Sequence, residues 1–230
     1  MRFPFLTLAV LGLASSIQAN PANSDRIQSF SADYEQMGAS FSLQMVRDDE
    51  QHMLYAVFDF GSGDDTPVPG GDRTGHRLPE LDFSYRKLDR FSIIRIEDTV
   101  TLSKIGPEGP PVVLQKHHQQ AFVDGTLSYW LVAAWPLAEG LTVTVPVLIP
   151  KFPGGDDFSI RPTIFEVIGK QPVQSADGQT YECWVVRNSA GAGHNLTYVA
   201  EKPPYLIRQI AVAEDGTEQT VVLLKQVGSQ

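Results

Sequence analysis

The dominant pattern along the chain is the alternation of apolar and polar residues that is typical of half-buried β-strands. Residues 39–47, ASFSLQMVR, place Phe41, Leu43 and Met45 on one side of an extended chain and polar side chains on the other. Residues 52–60 form a second such segment after a short polar break. The two segments therefore predict a β-hairpin.

Further strands are predicted wherever short apolar runs lie between turn residues. Pro146 indicates an edge position or a bulge in its strand, and Asp215-Gly216 indicates a tight hairpin. No segment has a sustained helical period, although residues 24–36 and 116–124 have room for a short helix or a helical turn. The remaining predicted strands cover residues 81–87, 91–97, 99–104, 112–115, 127–135, 141–149, 164–168, 180–188, 195–200, 205–213 and 217–226.

This succession of strands predicts an all-β protein with a single curved antiparallel sheet that forms a spiral β-roll or an incomplete barrel. Residues 61–79 are dense in Gly, Pro and Asp and are predicted to form one long loop. The loop is the only plausible domain boundary, and the hairpin before it would make a poor domain by itself. We therefore expect one β-rich domain over residues 20–230.

The first residues have the layout of a secretory signal peptide. Arg2 precedes an apolar run from Phe3 to Ala14, and Ala19 supplies a small residue at the cleavage point. The run is shorter than the ~20 residues that a membrane-spanning helix requires. We expect residues 1–19 to be a cleaved signal peptide, with no transmembrane segment afterwards and a periplasmic or secreted location.

Composition and charge narrow the classes of function. The apolar fraction of 42% supports a substantial core, and the net charge of −9 disfavours nucleic acid as a partner. Cys183 is the only cysteine, so the chain has no internal disulfide. Cys183 lies on a predicted strand with apolar residues on both faces and has no histidine within ten positions. It is therefore predicted to be a small buried core residue and not a nucleophile.

The histidines do not form a recognisable metal motif. His117 and His118 are adjacent, so on a strand they point to opposite faces. His52, His76 and His194 lie in unrelated strand or loop contexts, and no spacing resembles a zinc site. We interpret the histidines as solvent-facing or incidental and predict neither a metal nor a cofactor.

Acidic residues among glycines are the other candidates for chemistry. Their spacing does not match a calcium-binding loop, and Gly-Asp clusters are also good turn formers. The chain has no Gly-x-Ser-x-Gly nucleophile motif and no phosphate-binding glycine loop, so no catalytic residue is assigned. The acidic residues concerned are Asp64, Asp65, Asp72, Asp156 and Asp157.

Aromatic residues are concentrated in the C-terminal half. On the concave face of a curved sheet they would form a groove for an apolar ligand such as an acyl chain. The alternative is that they fill the core, as aromatic residues usually do. The candidate ligand-binding residues are Tyr129, Trp130, Trp135, Trp184, Tyr198 and Tyr205.

Residues 124–210 carry a series of short motifs in a fixed order. Pro136-Leu137 with a later Gly140 is followed by Val167-Ile168-Gly169, a hairpin over residues 178–186, a strand over 196–200 and the step PPYLIR over 203–208. This order resembles an exported bacterial family known as domain of unknown function 3108. The likeness is looser over residues 81–123 and hardly covers the N-terminal hairpin.

The resemblance implies a β-roll or incomplete barrel, in or beyond the periplasm, without a settled catalytic role. A wider likeness at the level of the fold is to the half-open barrels of lipoprotein carriers, which cradle acyl chains. The leading hypothesis is a non-enzymatic envelope protein that binds an apolar or lipid-like small molecule. Two alternatives stay open. One is an envelope hydrolase that uses the acidic loop residues, and the other is a scaffold or adaptor for another envelope protein, with an exposed apolar patch or open sheet edge.

Overall fold

The computed structural model describes residues 22–60, 72–88, 91–104, 111–151, 157–190 and 193–228. Within these ranges the chain forms fifteen strands, one single-turn α-helix and two 3-10 helices. The strands are β1 Phe30–Gln36, β2 Ala39–Asp48, β3 Met53–Asp59, β4 Asp72–Arg77, β5 Asp82–Leu88, β6 Phe91–Ile96, β7 Thr99–Lys104, β8 Val112–His117, β9 Val123–Asp124, β10 Thr142–Pro150, β11 Phe158–Gln174, β12 Thr180–Ala190, β13 Gly193–Ala200, β14 Leu206–Val212 and β15 Glu218–Val227. The helices are α1 Ser128–Leu131 and the 3-10 helices Ser24–Arg26 and Val132–Ala134.

All fifteen strands belong to one sheet. Its order runs from β8 back to β1, then to β15 and back to β9, so that β8 and β9 are the two edge strands. Neighbouring strands are antiparallel except for β9 and β10, which pair in parallel through Val123 and Val147. The prediction of an all-β protein with a single curved sheet forming an incomplete barrel is confirmed, because the sheet curls and remains open.

Contacts between the two ends of the strand order show the curl. Phe83 and Ile93, from β5 and β6, share a buried apolar cluster with Leu148 of β10 and Phe158 of β11. The backbone N–H of Phe83 also donates to the carbonyl oxygen of Phe122 at 2.7 Å. A larger cluster fills the remaining interior with residues from β1–β3 and β10–β15. The sheet therefore folds over on itself around two adjacent cores.

Most strand predictions are confirmed, and their turns have the expected chemistry. At the predicted hairpin between β14 and β15, Gly216 has a φ of 82° and the carboxylate of Asp215 accepts from the N–H of Thr217 at 2.9 Å. Pro146 lies on β10 where β9 does not extend, because β9 pairs only with Val147 and Leu148. The predicted edge position is therefore confirmed.

The N-terminal prediction is wrong in one respect. Residues 24–36 contain only the 3-10 turn Ser24–Arg26, and the rest of the segment is strand β1. Phe30, Ala32 and Tyr34 alternate inward along β1, which is the period of a strand. Similarly, residues 116–124 contain the end of β8 and the short strand β9 instead of a helical turn.

The predicted long loop over residues 61–79 is also wrong in its second half. Residues 72–77 form β4, which pairs with both β3 and β5, while residues 61–71 lie outside the described ranges. A Cβ atom on Gly75 would lie 2.6 Å from the ring of Tyr85. The glycine that suggested a loop therefore allows a close cross-strand approach.

Residues 127–135 were predicted as a strand and are helical. They form α1 and the following 3-10 helix, and almost every side chain is buried. Trp130 contacts Tyr34 of β1 on one side, and Trp135 contacts Phe165 of β11 on another. The segment is a plug inside the curled sheet, and a continuous apolar run is compatible with either a buried strand or a buried helix. No helix in the described ranges is long and apolar enough to span a membrane.

Candidate functional site

A half-open cavity of about 360 Å³ lies inside the curl, between the helical plug and the strands β1–β3 and β10–β15. Its volume falls within the ~300–1,000 Å³ that small-molecule sites usually occupy. Most of its lining is aromatic or aliphatic. The cavity is therefore the candidate functional site.

One side of the cavity is an aromatic wall formed by Phe41, Phe58 and Phe60. The ring centroids of Phe41 and Phe58 lie 5.9 Å apart, and those of Phe41 and Phe60 lie 5.3 Å apart. Phe58 also contacts Trp130, with 6.0 Å between centroids. Phe60 follows the end of β3 and is 50% exposed, so it forms part of the rim. The exposed phenylalanine therefore adds an apolar surface at the mouth of the cavity.

The floor is held in place by a capped turn at residues 124–127. The Oδ1 atom of Asp124 accepts from the backbone N–H of Thr126 at 2.7 Å, and Arg86 lies 3.6 Å from the same oxygen. Ser128 Oγ donates to the carbonyl oxygen of Gly125 at 2.8 Å. These bonds order the turn that leads into the helical plug, whose residues Tyr129 and Trp130 line the cavity.

A hydrogen-bonded chain fixes the indole of the floor. Trp130 Nε1 donates to the hydroxyl oxygen of Tyr34 at 3.1 Å, and Tyr34 in turn donates to the carbonyl oxygen of Pro204 at 3.1 Å. Burial raises the pKa of Tyr34, so this hydroxyl stays protonated and keeps its donor role. Trp130 is thus both an apolar surface and a rigid one.

The opposite side is a polar wall formed by Asn188, Asn195 and Gln209 on three successive strands, β12, β13 and β14. The carbonyl oxygens of Asn188 and Gln209 are buried and have no hydrogen-bond partner within the described residues. Gln209 as a whole residue is only 1% exposed. Each buried carbonyl group without a hydrogen-bond partner lowers the stability of the folded chain by roughly 1–3 kcal/mol. The polar wall is therefore energetically unfavourable as it stands.

Within the described part of the chain, the cavity lining contains no Asp, Glu, Lys, Arg or His. Its polar surface is made of amide and hydroxyl groups only. Such a lining recognises a ligand by shape, apolar contact and neutral hydrogen bonds, and it supplies no group suited to proton transfer near neutral pH.

Charged groups are instead gathered in a separate cluster around Asp82, at the start of β5. Its two carboxylate oxygens accept from Arg77 Nη2 at 2.6 Å and from Arg95 Nη1 at 2.5 Å. The backbone N–H of Phe122 donates to Asp82 at 3.1 Å, and Arg95 Nε donates to the carbonyl oxygen of Glu97 at 2.9 Å. This paired cluster ties β5 and β6 to the segment that leads to β9.

The interpretation of the histidines as solvent-facing or incidental is wrong for His76. This side chain is fully buried, and its Nε2 accepts from the backbone N–H of Asp124 at 3.1 Å. Burial lowers the pKa of His76 to about 4, so the ring is neutral at physiological pH. Its role is to support the capped turn beneath the cavity. His117 is largely exposed, and no three metal-ligating side chains cluster in the described ranges.

The six predicted aromatic residues are not brought together. Only Tyr129 and Trp130 line the cavity. Trp135 is buried against Phe165, with 5.1 Å between ring centroids. Tyr205 is buried too, and its hydroxyl donates to the carbonyl oxygen of Arg26 at 2.9 Å.

The last two candidates lie away from the cavity. Trp184 is half-buried with Lys170 Nζ 4.8 Å above its ring, and Tyr198 is buried and borders a shallow depression beside Arg208. The cavity residues that were not predicted from the sequence include Phe41, Phe58, Phe60, Phe165, Asn188, Asn195 and Gln209. The sequence did indicate that Phe41 faces the interior, because it is one of the alternating apolar residues of the first predicted hairpin.

The acidic candidates divide into two groups. Asp64, Asp65 and Asp156 lie outside the described residues, and Asp72 begins β4. The carboxylate of Asp157 accepts hydrogen bonds from Lys116 Nζ at 2.5 Å and from Lys151 Nζ at 2.8 Å. These bonds hold the pKa of Asp157 far below its usual range. A carboxylate that stays ionised and paired is poorly suited to general acid–base catalysis.

Cys183 lies on β12 and is fully buried. Burial raises the pKa of its thiol to about 12, and its Sγ lies 3.6 Å from the carbonyl oxygen of Tyr181. Val185 and Val186 are also buried, so the strand is covered on both faces. The prediction of a buried, unactivated cysteine is confirmed.

Comparison with models of protein families, with curated proteins and with solved structures gave no match to this chain. The function of the cavity is therefore inferred from its own geometry.

Proposed function

We propose that this protein is a non-enzymatic protein of the cell envelope that binds an apolar or lipid-like small molecule in the cavity. The observation that carries the proposal is the cavity of about 360 Å³ with an aromatic wall and a half-exposed rim residue, Phe60. Export through residues 1–19 and kinship with the exported family that residues 124–210 resemble are parts of the same proposal.

The helical plug supports this reading, because it stops short of filling the curl. Residues 127–135 pack the interior on the side of β1 and β11, and Tyr129 and Trp130 leave a gap toward the rim. An aromatic-lined gap of this size is a typical site for a small molecule in a curled or closed sheet.

The test is the binding of a neutral fluorescent probe, N-phenylnaphthylamine, to the wild-type chain and to a cavity-filling variant. Thr163 lines the cavity from β11, whereas its neighbour Ile164 is 52% exposed and outside the lining. We expect saturable binding to the wild type, a loss of at least about tenfold in Thr163→Trp, and wild-type affinity in the matched control Ile164→Trp.

Two results would count against the proposal. Probe binding that does not saturate would show that the cavity is not a site. Equal losses in Thr163→Trp and Ile164→Trp would place the probe elsewhere. Thermal unfolding of both variants separates loss of the cavity from loss of the fold.

A scaffold role is the second candidate function, because the sheet has open edges. β8 is an edge strand, and Val113 on it is 62% exposed. An unpaired edge invites the addition of another strand. A photoreactive residue placed at Val113 in the native envelope would give one discrete crosslinked product if the edge is occupied. The same residue at Val227, which lies on an internal strand, is the control and should give none.

A further inference from the structure

We infer that the ligand of this cavity has a neutral head group with at least one O–H or N–H donor, which the amide oxygens of Asn188 and Gln209 accept inside the cavity. The inference rests on the proposed binding function and names the chemical class of its ligand. Long-chain alcohols, monoacylglycerols and fatty amides share this chemistry.

The first step is the polar wall itself. Asn188 and Gln209 both line the cavity, and each has a buried carbonyl oxygen without a partner in the described residues. Thr197, directly opposite Gln209 on β13, has a buried hydroxyl oxygen that is also without a partner in the described residues. Buried carbonyl groups are nearly always paired in native proteins. The two unpaired carbonyl acceptors in the cavity lining are therefore explained by a donor that the ligand brings.

The second step is the depth of the wall. From β3 to β12, each strand of the sheet is antiparallel to its neighbour, so successive strands end alternately at the two ends of the sheet. The C-terminal ends of β3 and β12 therefore lie at the same end. Phe60, which follows β3, and the turn between β12 and β13 both lie at that end. Asn195 pairs with Asn188 near that turn, whereas Gln209 pairs with Thr197, two residues further from it. The wall thus extends inward from the rim. A ligand enters head first, with its apolar tail along Phe41, Phe58 and Trp130.

The third step is charge. The cavity lining within the described ranges contains no cationic side chain that would pair with a carboxylate or phosphate head group. An anion in this cavity would lose its hydration without gaining a counter-charge, and that loss is more expensive than the loss for a neutral hydroxyl. The cavity therefore discriminates against the ionised fatty acid in favour of the neutral alcohol of the same length.

The experiment measures displacement of N-phenylnaphthylamine at pH 8 by three competitors with one shared tail: decanol, decyl methyl ether and decanoate. The ether keeps the oxygen but has no donor, and decanoate is ionised at this pH. We expect decanol to bind about five- to tenfold more tightly than the ether, which corresponds to one net hydrogen bond, and decanoate to bind more weakly than both.

The double variant Asn188→Leu, Gln209→Met removes both acceptors at nearly constant volume. It should abolish the preference for decanol over the ether, so that the two competitors displace the probe equally well. The probe affinity of the variant is measured separately, and the ratio of the two competitors is the readout. Gln36→Met is the matched control, because Gln36 lines the same cavity but is partly exposed and is not among the residues with a buried unpaired oxygen. It should keep the preference.

The outcomes distinguish the two proposals. Equal displacement by decanol and the ether, or a preference that survives in the double variant, would overturn the inference about the head group and leave the binding function intact. Absence of saturable probe binding to the wild type would overturn the binding function itself. Tighter binding of decanoate than of decanol would contradict the argument from charge.

Discussion

Two buried polar regions of this protein differ in how completely their groups are paired. In the cluster around Asp82, Arg77, Arg95 and the N–H of Phe122 all donate to one carboxylate. In the polar wall, Asn188 and Gln209 keep carbonyl oxygens without partners. The first region joins strands and is complete by itself. The second lines the cavity and keeps two acceptors without a partner in the described residues, which is why the proposed ligand is given a donor group.

His76 lies between these two extremes. Its Nε2 is paired with the backbone of Asp124, and its Nδ1 has no partner in the described residues. It packs against Phe83, with 5.8 Å between ring centroids, and not into the cavity lining. A half-paired group that is sealed in the core has a structural cost and no route to a ligand.

The largest effect is expected from Asp82→Ala. The substitution leaves Arg95, whose side chain is 5% exposed, without its carboxylate partner. Breaking a buried ion pair on one side costs about 3–5 kcal/mol, and urea-induced unfolding measures the loss. The control is Glu166→Ala, which breaks the exposed pair with Arg187 and should cost no more than about 1 kcal/mol. Similar losses in the two variants would contradict the assignment of Asp82 to a buried structural cluster.

The next largest effect is the pH dependence that His76 introduces. Burial holds its pKa at about 4, below the ordinary 6.5. Between these two pH values the ring is protonated in the unfolded chain and neutral in the folded chain. Stability should therefore fall as pH decreases from about 6.5 to about 4, by an amount on the order of 3 kcal/mol from this residue. The nearby carboxylates of Asp124 and Asp82 oppose the shift without cancelling it.

Unfolding measured across this pH range in His76→Gln should show a shallower decline than in the wild type. His117→Gln, at an exposed position, should reproduce the wild-type profile. An unchanged profile in His76→Gln would show that the ring is not kept neutral by burial.

A smaller effect is expected from Tyr34→Phe. The change removes the hydroxyl that accepts from Trp130 Nε1 and donates to the carbonyl oxygen of Pro204, and it leaves both groups unpaired. We expect a loss of about 1–3 kcal/mol in the free energy of unfolding. Tyr55→Phe removes a hydroxyl that donates to Gln51 in an exposed setting and should change stability by less than about 0.5 kcal/mol.

The smallest effect is expected from Gln209→Met in the absence of ligand. The amide oxygen has no partner to lose, so the free energy of unfolding should stay within about 0.5 kcal/mol of the wild type or rise. Chemical unfolding measures it directly. A loss above about 1 kcal/mol would show that Gln209 is a structural group like Asp82, and the contrast between the two regions would fail.

Much of the sheet was predictable from local pattern. β2, β3, β7 and β15 follow alternating or apolar runs, and Asp215-Gly216 gave the hairpin between β14 and β15. β4 was missed because its sequence, DRTGHR, has no apolar alternation, and it is a strand only because β3 and β5 bond it on both sides. The helical plug was missed because an apolar run that is buried on all sides has no alternation of apolar and polar residues, so the sequence does not distinguish a buried helix from a buried strand.

The site was less predictable than the fold. Of the six aromatic residues selected from the sequence, Tyr129 and Trp130 line the cavity, and the other four lie elsewhere. Phe41 and Gln209 are 168 positions apart in the printed sequence, and their convergence depends on the order of strands from β2 through β1 and β15 to β14. No local pattern encodes that distance.

The sequence by itself determined the all-β class, the position of most turns and the burial of Cys183, because each depends on the alternation and turn preferences of neighbouring residues. The tertiary structure alone decided that residues 127–135 fold as a helical plug, that His76 is buried and neutral, and that Asn188 and Gln209 share a cavity without partners. These features arise from contacts between residues far apart in the chain. Packing of distant strands, and not local propensity, sets which buried polar groups are paired and which are left without a partner.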